Sequence, residues 1–286
     1  MEPPRTIRPG DGLYPDALSR IADRPAEMRL LGSLGEPVRR VAIVGSRRTD
    51  EYGSDVARAI AAGLARAGVS IVSGGALGVD AAAHGGALDA GGHTVAVLGT
   101  GIDVCYPSEH RSLFERIVAA GGALLSEQPD GTRGYRSSFP RRNRIVSGLS
   151  DAVVVVRAGE GSGALITAGW ARSQGVPLLA VPGDVRDPLS AGPLDLLRGG
   201  ARVAAGPEDV LAVLGIAAAP ERQMELPALG AEASALLSAL GRRPRHADDV
   251  ARAARLGPGA ALAGLLSLEL QGLCERRPGH YFLRRS

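Results

Sequence analysis

The sequence has 286 residues, 45% hydrophobic and 22% charged, which suits one large α/β domain plus a small second one and excludes a disordered tail. Its longest charge-free stretches, such as residues 90–102 and 256–268, fall short of the roughly 20 apolar residues of a membrane-spanning helix. All 33 basic residues are arginine, and the net charge is only +3, so phosphate contacts must use guanidinium groups and attraction by the molecule as a whole is weak.

Residues 1–40 are rich in Pro and Gly, with one short apolar stretch at 28–31, and read as an extended lead-in. The opening MEPPRTIRPGDG lacks the apolar core of a secretory signal. From Val41 onward, short apolar runs (41–44, 69–72, 94–98, 123–125, 152–156 and 177–181) alternate with helix-like stretches such as 54–67 and 164–174. Strands apolar on both faces, alternating with helices, predict a doubly wound, mostly parallel sheet over 41–214, although its strand order is not readable. Residues 215–229 hold two prolines and little periodicity and read as a linker. Residues 230–286 then read as three amphipathic helices and a terminal hairpin with Pro278-Gly279 at its tip, the outline of a winged helix.

Four segments of the larger domain could carry chemistry. Val44-Gly45-Ser46-Arg47 follows the first strand, and a Gly-Ser turn leading into a helix offers backbone N–H groups, a hydroxyl and a guanidinium to an anion. It has neither the dinucleotide fingerprint nor the Walker spacing. Ser73-Gly74-Gly75-Ala76-Leu77-Gly78-Val79-Asp80 lets a ligand or a second backbone approach closely, with Asp80 either capping a helix over 81–90 or touching a ligand. His84, one turn later, has no visible third partner for a metal and reads as structural. Residues 129–148 hold Arg133, Arg136, Arg141, Arg142 and Arg144 against Asp130 alone, around Phe139 and Asn143. An aromatic among arginines is the composition of a base-stacking site with phosphate contacts; the competing reading puts Phe139 in the core. Gly161-Ser162-Gly163, with Thr167 beyond it, is a second anion-cradling turn at a helix start. Turns at the carboxyl ends of strands in one sheet converge on one edge, where open α/β sheets bind ligands.

GSRRTDEYG, SGGALGVDAAAHGGAL, VLGTGIDVCYP, LLSEQP, FPRRNRIVSGLS, EGSGALITA, AVPGDV and GGARVAAGPEDVL succeed one another between about Tyr14 and Leu214. In this order they strongly resemble the DNA-processing protein A family (DprA, or Smf), and the last residues resemble the winged helix that many members carry. The resemblance implies an extended Rossmann-like fold and a protein without catalysis, metal or cofactor. It implies one that binds single-stranded DNA, forms a homodimer and loads the RecA recombinase onto DNA taken up in natural transformation. Position by position it assigns DNA contacts to Gly45, Ser46, Arg47, Gly74, Gly75, Arg136, Phe139, Arg141, Asn143, Gly161, Ser162, Gly163 and Thr167. Within that set, Arg47 would hold phosphate and Phe139 would stack on a base. The chain departs from the family pattern at Asp50, where Ser or Thr is usual, and at Leu194, where Asn is usual. A cytoplasmic address is expected.

Two other readings compete. A phosphoribohydrolase-like enzyme would need a carboxylate at the start of the helix after EGSG, and the sequence has none there. A nucleotide-sensing winged-helix regulator would need a reading helix with polar side chains, whereas 260–271 has no arginine.

Overall fold

The computed structural model describes residues 3–36, 39–217, 230–241 and 243–284. The chain divides into two compact units, within residues 1–219 and 220–286. Most of the linker expected over 215–229 lies outside the described residues.

The first unit runs β1 (Arg5–Ile7), α1 (Asp16–Ser19), β2 (Met28–Gly32), β3 (Arg39–Val44), α2 (Glu51–Arg66), β4 (Val69–Ser73), α3 (Val79–Asp89), β5 (Thr94–Gly101), α4 (Arg111–Ala119), β6 (Ala123–Gln128), α5 (Ser138–Gly148), β7 (Ala152–Val155), α6 (Gly163–Ser173), β8 (Leu178–Ala180), α7 (Ala191–Arg198), β9 (Arg202–Val203) and α8 (Pro207–Leu214). Among its described residues, nine strands form one sheet in the order β1-β2-β6-β5-β4-β3-β7-β8-β9. The pairs from β6 to β9 are all parallel. Alternation within the apolar runs serves two cores. In β3, Val41 and Ile43 pack with Ile60 and Leu64 of α2 on one face, while Ala42 and Val44 join Ile145 of α5 and Ala168 of α6 on the other. The doubly wound architecture is a consequence of that double burial.

Residues 1–40 do more than lead in. β1 and β2 extend the sheet antiparallel beyond β6, and Ile7, Tyr14, Leu18, Met28 and Leu30 are buried in the main core. Pro and Gly break this stretch into anchors too short for periodicity to reveal. Polar ties reinforce the docking: buried Arg144 donates to Asp23 Oδ2 at 2.8 Å and to Glu127 Oε1 at 2.6 Å, and Tyr14 Oη donates to the Pro25 carbonyl at 2.8 Å.

From β3 the chain winds outward through β4, β5 and β6, then returns to place β7 on the other side of β3. The strand order therefore reverses at β3, and such a switch point opens a crevice at the carboxyl ends of the strands.

His84 of α3 is fully buried. Thr94 Oγ1 donates to the Ile71 carbonyl at 2.7 Å, so it must accept from His84 Nδ1, also 2.7 Å away, which leaves Nε2 as an unpartnered acceptor. Burial, with His110 and Arg142 nearby, lowers the His84 pKa to about 3. An imidazole whose folded pKa lies below its unfolded value stabilises the fold above that value and loses the contribution as pH falls toward the folded one. From an ordinary value of 6.5, about 2 kcal/mol should be lost by pH 5. Thermal melting at pH 7 and pH 5 should show a larger drop for the wild type than for His84→Gln. Equal drops would contradict the assignment.

The second unit holds α9 (Ala231–Ala239), β10 (Arg245–His246), α10 (Ala247–Ala254), α11 (Pro258–Leu270), β11 (Cys274–Arg277) and β12 (Tyr281–Arg284). The helices pack around Leu236, Leu237, Val250, Leu265 and Leu268, which Phe282 of the hairpin completes. The three helices and terminal hairpin match the winged-helix outline. A short strand, β10, adds to the hairpin by pairing with β12.

Candidate functional site

A cleft of about 630 Å³ lies at the switch point. Its walls are the turns after β3 (Val44 to Arg47), after β4 (Gly74 and Ala76) and after β7 (Gly159 to Gly163), together with α5 and the segment before it. Of the thirteen predicted contact residues, Gly45, Ser46, Arg47, Gly74, Arg136, Phe139, Asn143, Gly161, Ser162, Gly163 and Thr167 line it. Gly75 and Arg141 do not. Gly75 faces a smaller adjoining hollow and gives its carbonyl to His110 Nδ1 at 2.8 Å. Arg141 is exposed, 3.6 Å from Glu127.

The turn after β3 is braced from both sides. Ser46 N–H donates to the Arg157 carbonyl at 2.6 Å, and Arg48 N–H donates to Ser46 Oγ at 3.1 Å. Those two amides are spent within the protein, contrary to the expected open row of N–H groups. The Ser46 hydroxyl proton and the exposed Arg47 guanidinium remain as side-chain donors. Gly78 brings the second turn against this one: its φ is 78°, and a Cβ there would stand 2.3 Å from the Ser46 carbonyl oxygen. At the third turn, Ser162 caps α6 by accepting from Ala164 N–H at 3.3 Å, leaving the positive end of the helix toward the cleft. Asn143 is also committed: its Nδ2 donates to the Gly163 carbonyl at 3.0 Å, so it shapes the turn that a ligand would meet.

Asp80 does not cap α3. Gly78 holds that position, and the Asp80 carboxylate turns back to accept from Gly74 N–H at 3.1 Å and Ala76 N–H at 3.2 Å. Beside it, buried Arg142 donates to the carbonyls of Gly74 and Val97. Burial pushes the Asp80 carboxyl up, against the pull of Arg142, and lowers Arg142 to about 10, against the pull of Asp80. Arg142 and Arg144 are thus spent on the fold, so of the five-arginine cluster Arg136 and Arg142 line the cleft, and Arg142 does so with its guanidinium committed to backbone carbonyls. Of the two departures, Asp50 accepts from Gly53 N–H at 2.9 Å and pairs with buried Arg157. Neither it nor Leu194 lines the cleft.

Phe139 is neither core nor free. It is partly buried, filling the space left by Gly99 and Gly134, where a Cβ would come within 2.7 Å of the ring. The ring of Tyr106 tilts against it at 5.4 Å, and the Arg47 guanidinium lies over its face at 5.2 Å. The phosphate and stacking roles expected of Arg47 and Phe139 therefore meet in one contact. Tyr106 and Tyr135, each about half exposed at 50% and 51%, also line the cleft and were not singled out from sequence. The signal was present: Tyr135 stands between Arg133 and Arg136, and Tyr106 lies in the VLGTGIDVCYP stretch.

The profile of the DNA recombination-mediator protein A family matches residues 5–215, and that of the DprA winged helix domain matches 219–280. The chain belongs to this family. It is 42% identical over 254 residues to a DNA processing protein DprA of Mycobacterium tuberculosis, covering 87% of this chain and 65% of that protein. The chain thus spans about two thirds of that relative's length. It is 36% identical to protein Smf of Escherichia coli over 100% of its own length and 79% of the relative's. Among solved structures, DprA from Streptococcus pneumoniae shares 39% identity at a TM-score of 0.68, over 73% of each chain. DprA from Helicobacter pylori, described for its single-stranded DNA binding mode, shares 30% at 0.66, over 74% of this chain and 95% of that one.

A family member whose cleft joins Arg47 to Phe139 should respond to the two substitutions jointly. In a double-mutant cycle read by oligo-dT affinity, Arg47→Ala and Phe139→Ala are expected to couple by about 0.5–1 kcal/mol, the size of an exposed cation–π contact. Phe139→Ala should also lower the salt slope, because Arg47 loses its support. Additive losses with an unchanged slope would show the two side chains acting separately.

Proposed function

We propose that the cleft binds single-stranded DNA and that the chain acts as a non-catalytic recombination mediator. The observation that carries this reading is the presence in one cleft of both anion donors and ring faces. Ser46, Arg47, Arg136 and the start of α6 suit phosphates, while Tyr106, Tyr135 and Phe139 suit unstacked bases. A single strand can present both at once, whereas a duplex hides its base faces. The Helicobacter relative described with single-stranded DNA supports the same assignment.

A hydrolase would need a free carboxylate over the substrate. Of the two carboxylates that line the cleft among the described residues, Asp80 is held by two backbone N–H groups and Glu160 is exposed to solvent, and the first turn of α6 has no acid. The family resemblance extends the reading to delivery of the strand to RecA recombinase by a homodimer, in which two clefts would gain avidity on one strand.

A mobility shift with oligo-dT and with duplex of equal length is the direct test. Stacking worth about 1–3 kcal/mol per base should favour the single strand at every salt concentration. Equal affinities would overturn the reading. Light scattering should return twice the chain mass, and a monomer would remove the homodimer.

A further inference from the structure

A second buried arginine, Arg157, follows β7 by two residues and is 3% exposed, yet it does not line the cleft. Its guanidinium gathers two other segments of the first unit. Nε donates to Asp50 Oδ1 at 3.1 Å and a terminal nitrogen donates to Asp50 Oδ2, a two-pronged pair. The other hydrogen bonds go to Asp187 and to Ser190 Oγ, between β8 and α7. The ring of Tyr52 in α2 faces the same group, its centroid 4.9 Å away, and its hydroxyl donates to the Pro182 carbonyl at 2.9 Å. The hydrogen bond from Arg157 holds the Asp50 carboxyl below its usual range, so that pair stays charged near neutral pH.

Each partner is tied to a wall of the cleft. The Arg157 carbonyl accepts from Ser46 N–H at 2.6 Å, and Asp50 caps α2 three residues after Arg47. Asp187 accepts from the N–H of Leu189 at 2.9 Å, and Leu189 lines the cleft. The Leu189 carbonyl in turn accepts from Ala158 N–H at 2.8 Å. One buried side chain thereby joins the turn after β3, the turn after β7 and the segment before α7. Two carboxylates around one guanidinium leave an excess negative charge beside a cleft suited to anions, which electrostatics alone would disfavour.

We propose, resting on the reading of the cleft as a single-stranded DNA site, that Arg157 with Asp50 and Asp187 is a positioning clamp. It holds Ser46 and Arg47 in the geometry that captures a phosphate, without touching the strand itself.

Asp50→Asn and Asp187→Asn in the full chain, read by fluorescence anisotropy with oligo-dT, test the clamp through the sign of the effect. Asparagine at position 50 keeps the α2 cap but turns one acceptor facing Arg157 into an N–H donor. Each variant removes a negative charge, so without a positioning role a polyanion should bind equally well or more tightly. The clamp predicts the opposite for both. Asp50→Asn should bind about tenfold more weakly, the worth of one charge-assisted hydrogen bond, with a salt slope lower by about 0.7. In an Arg47→Ala background Asp50→Asn should cost nothing further. Equal or tighter binding by the variants, or the same loss with and without Arg47, overturns the clamp and leaves the cleft standing. If Asp50→Asn does not fold, Asp187→Asn carries the same test of sign. A wild-type chain that binds no oligo-dT overturns the cleft reading, and amide hydrogen exchange then judges the clamp alone. Ser46 N–H should exchange faster in Asp50→Asn, while Ile71 N–H, bonded to the His93 carbonyl at 3.0 Å, stays unchanged. Unchanged exchange at Ser46 would overturn the clamp.

Discussion

The Arg142 guanidinium, buried between the carboxyl end of β4 and the middle of β5, is the contact on which the cleft depends. It donates to Gly74 and Val97, while Asp80 beside it accepts from Gly74 and Ala76. One helix is thereby pinned to two strands, and the residues flanking Arg142 on α5, Phe139 and Asn143, are set into the cleft wall. Burying such a pair is expensive and need not add stability, but removing one partner would strand the other's charge. Its value here is geometric. Gly74 is part of the same constraint, since a Cβ would stand 2.5 Å from an Arg142 nitrogen and 2.7 Å from Asp80.

With the wall placed in this way, recognition falls to side chains that already touch one another. Arg47 covers the Phe139 ring, so a ligand reaching that face would have either to displace the guanidinium or to stack on its outer side. Either route would make anion capture by Arg47 and stacking on Phe139 interdependent. Tyr106, whose ring tilts against Phe139 at 5.4 Å, limits how far that ring can give.

Because the chain has no lysine, arginine does two kinds of work that composition alone cannot separate. Arg142, Arg144 and Arg157 are buried and satisfied by carbonyls and carboxylates. Arg47 and Arg136 face the cleft, and Arg277 faces solvent from the second unit. A count of positive charge along residues 129–148 therefore overstates what a phosphate would meet there.

The sequence alone determined the elements and their chemistry class. Strands buried on both faces must be apolar throughout and helices must carry their own period, so the α/β layering, the winged-helix outline and the Gly-rich turns after strands were all legible, as were eleven of the cleft-lining residues. What it left open depended on contacts between distant segments. Strand order, with the reversal at β3 that opens the cleft, is set by which runs pair, and every run was equally apolar. Residues 5–32 joined the sheet through anchors too short to show a period. By spacing Asp80 suited the cap of a helix over 81–90, yet the helix begins two residues earlier and the buried carboxylate accepts from the Gly74 turn. Contacts made only on folding likewise drew Arg142 and Arg144 inward at separate places, laid Arg47 on Phe139 and brought Tyr106 and Tyr135 to the cleft.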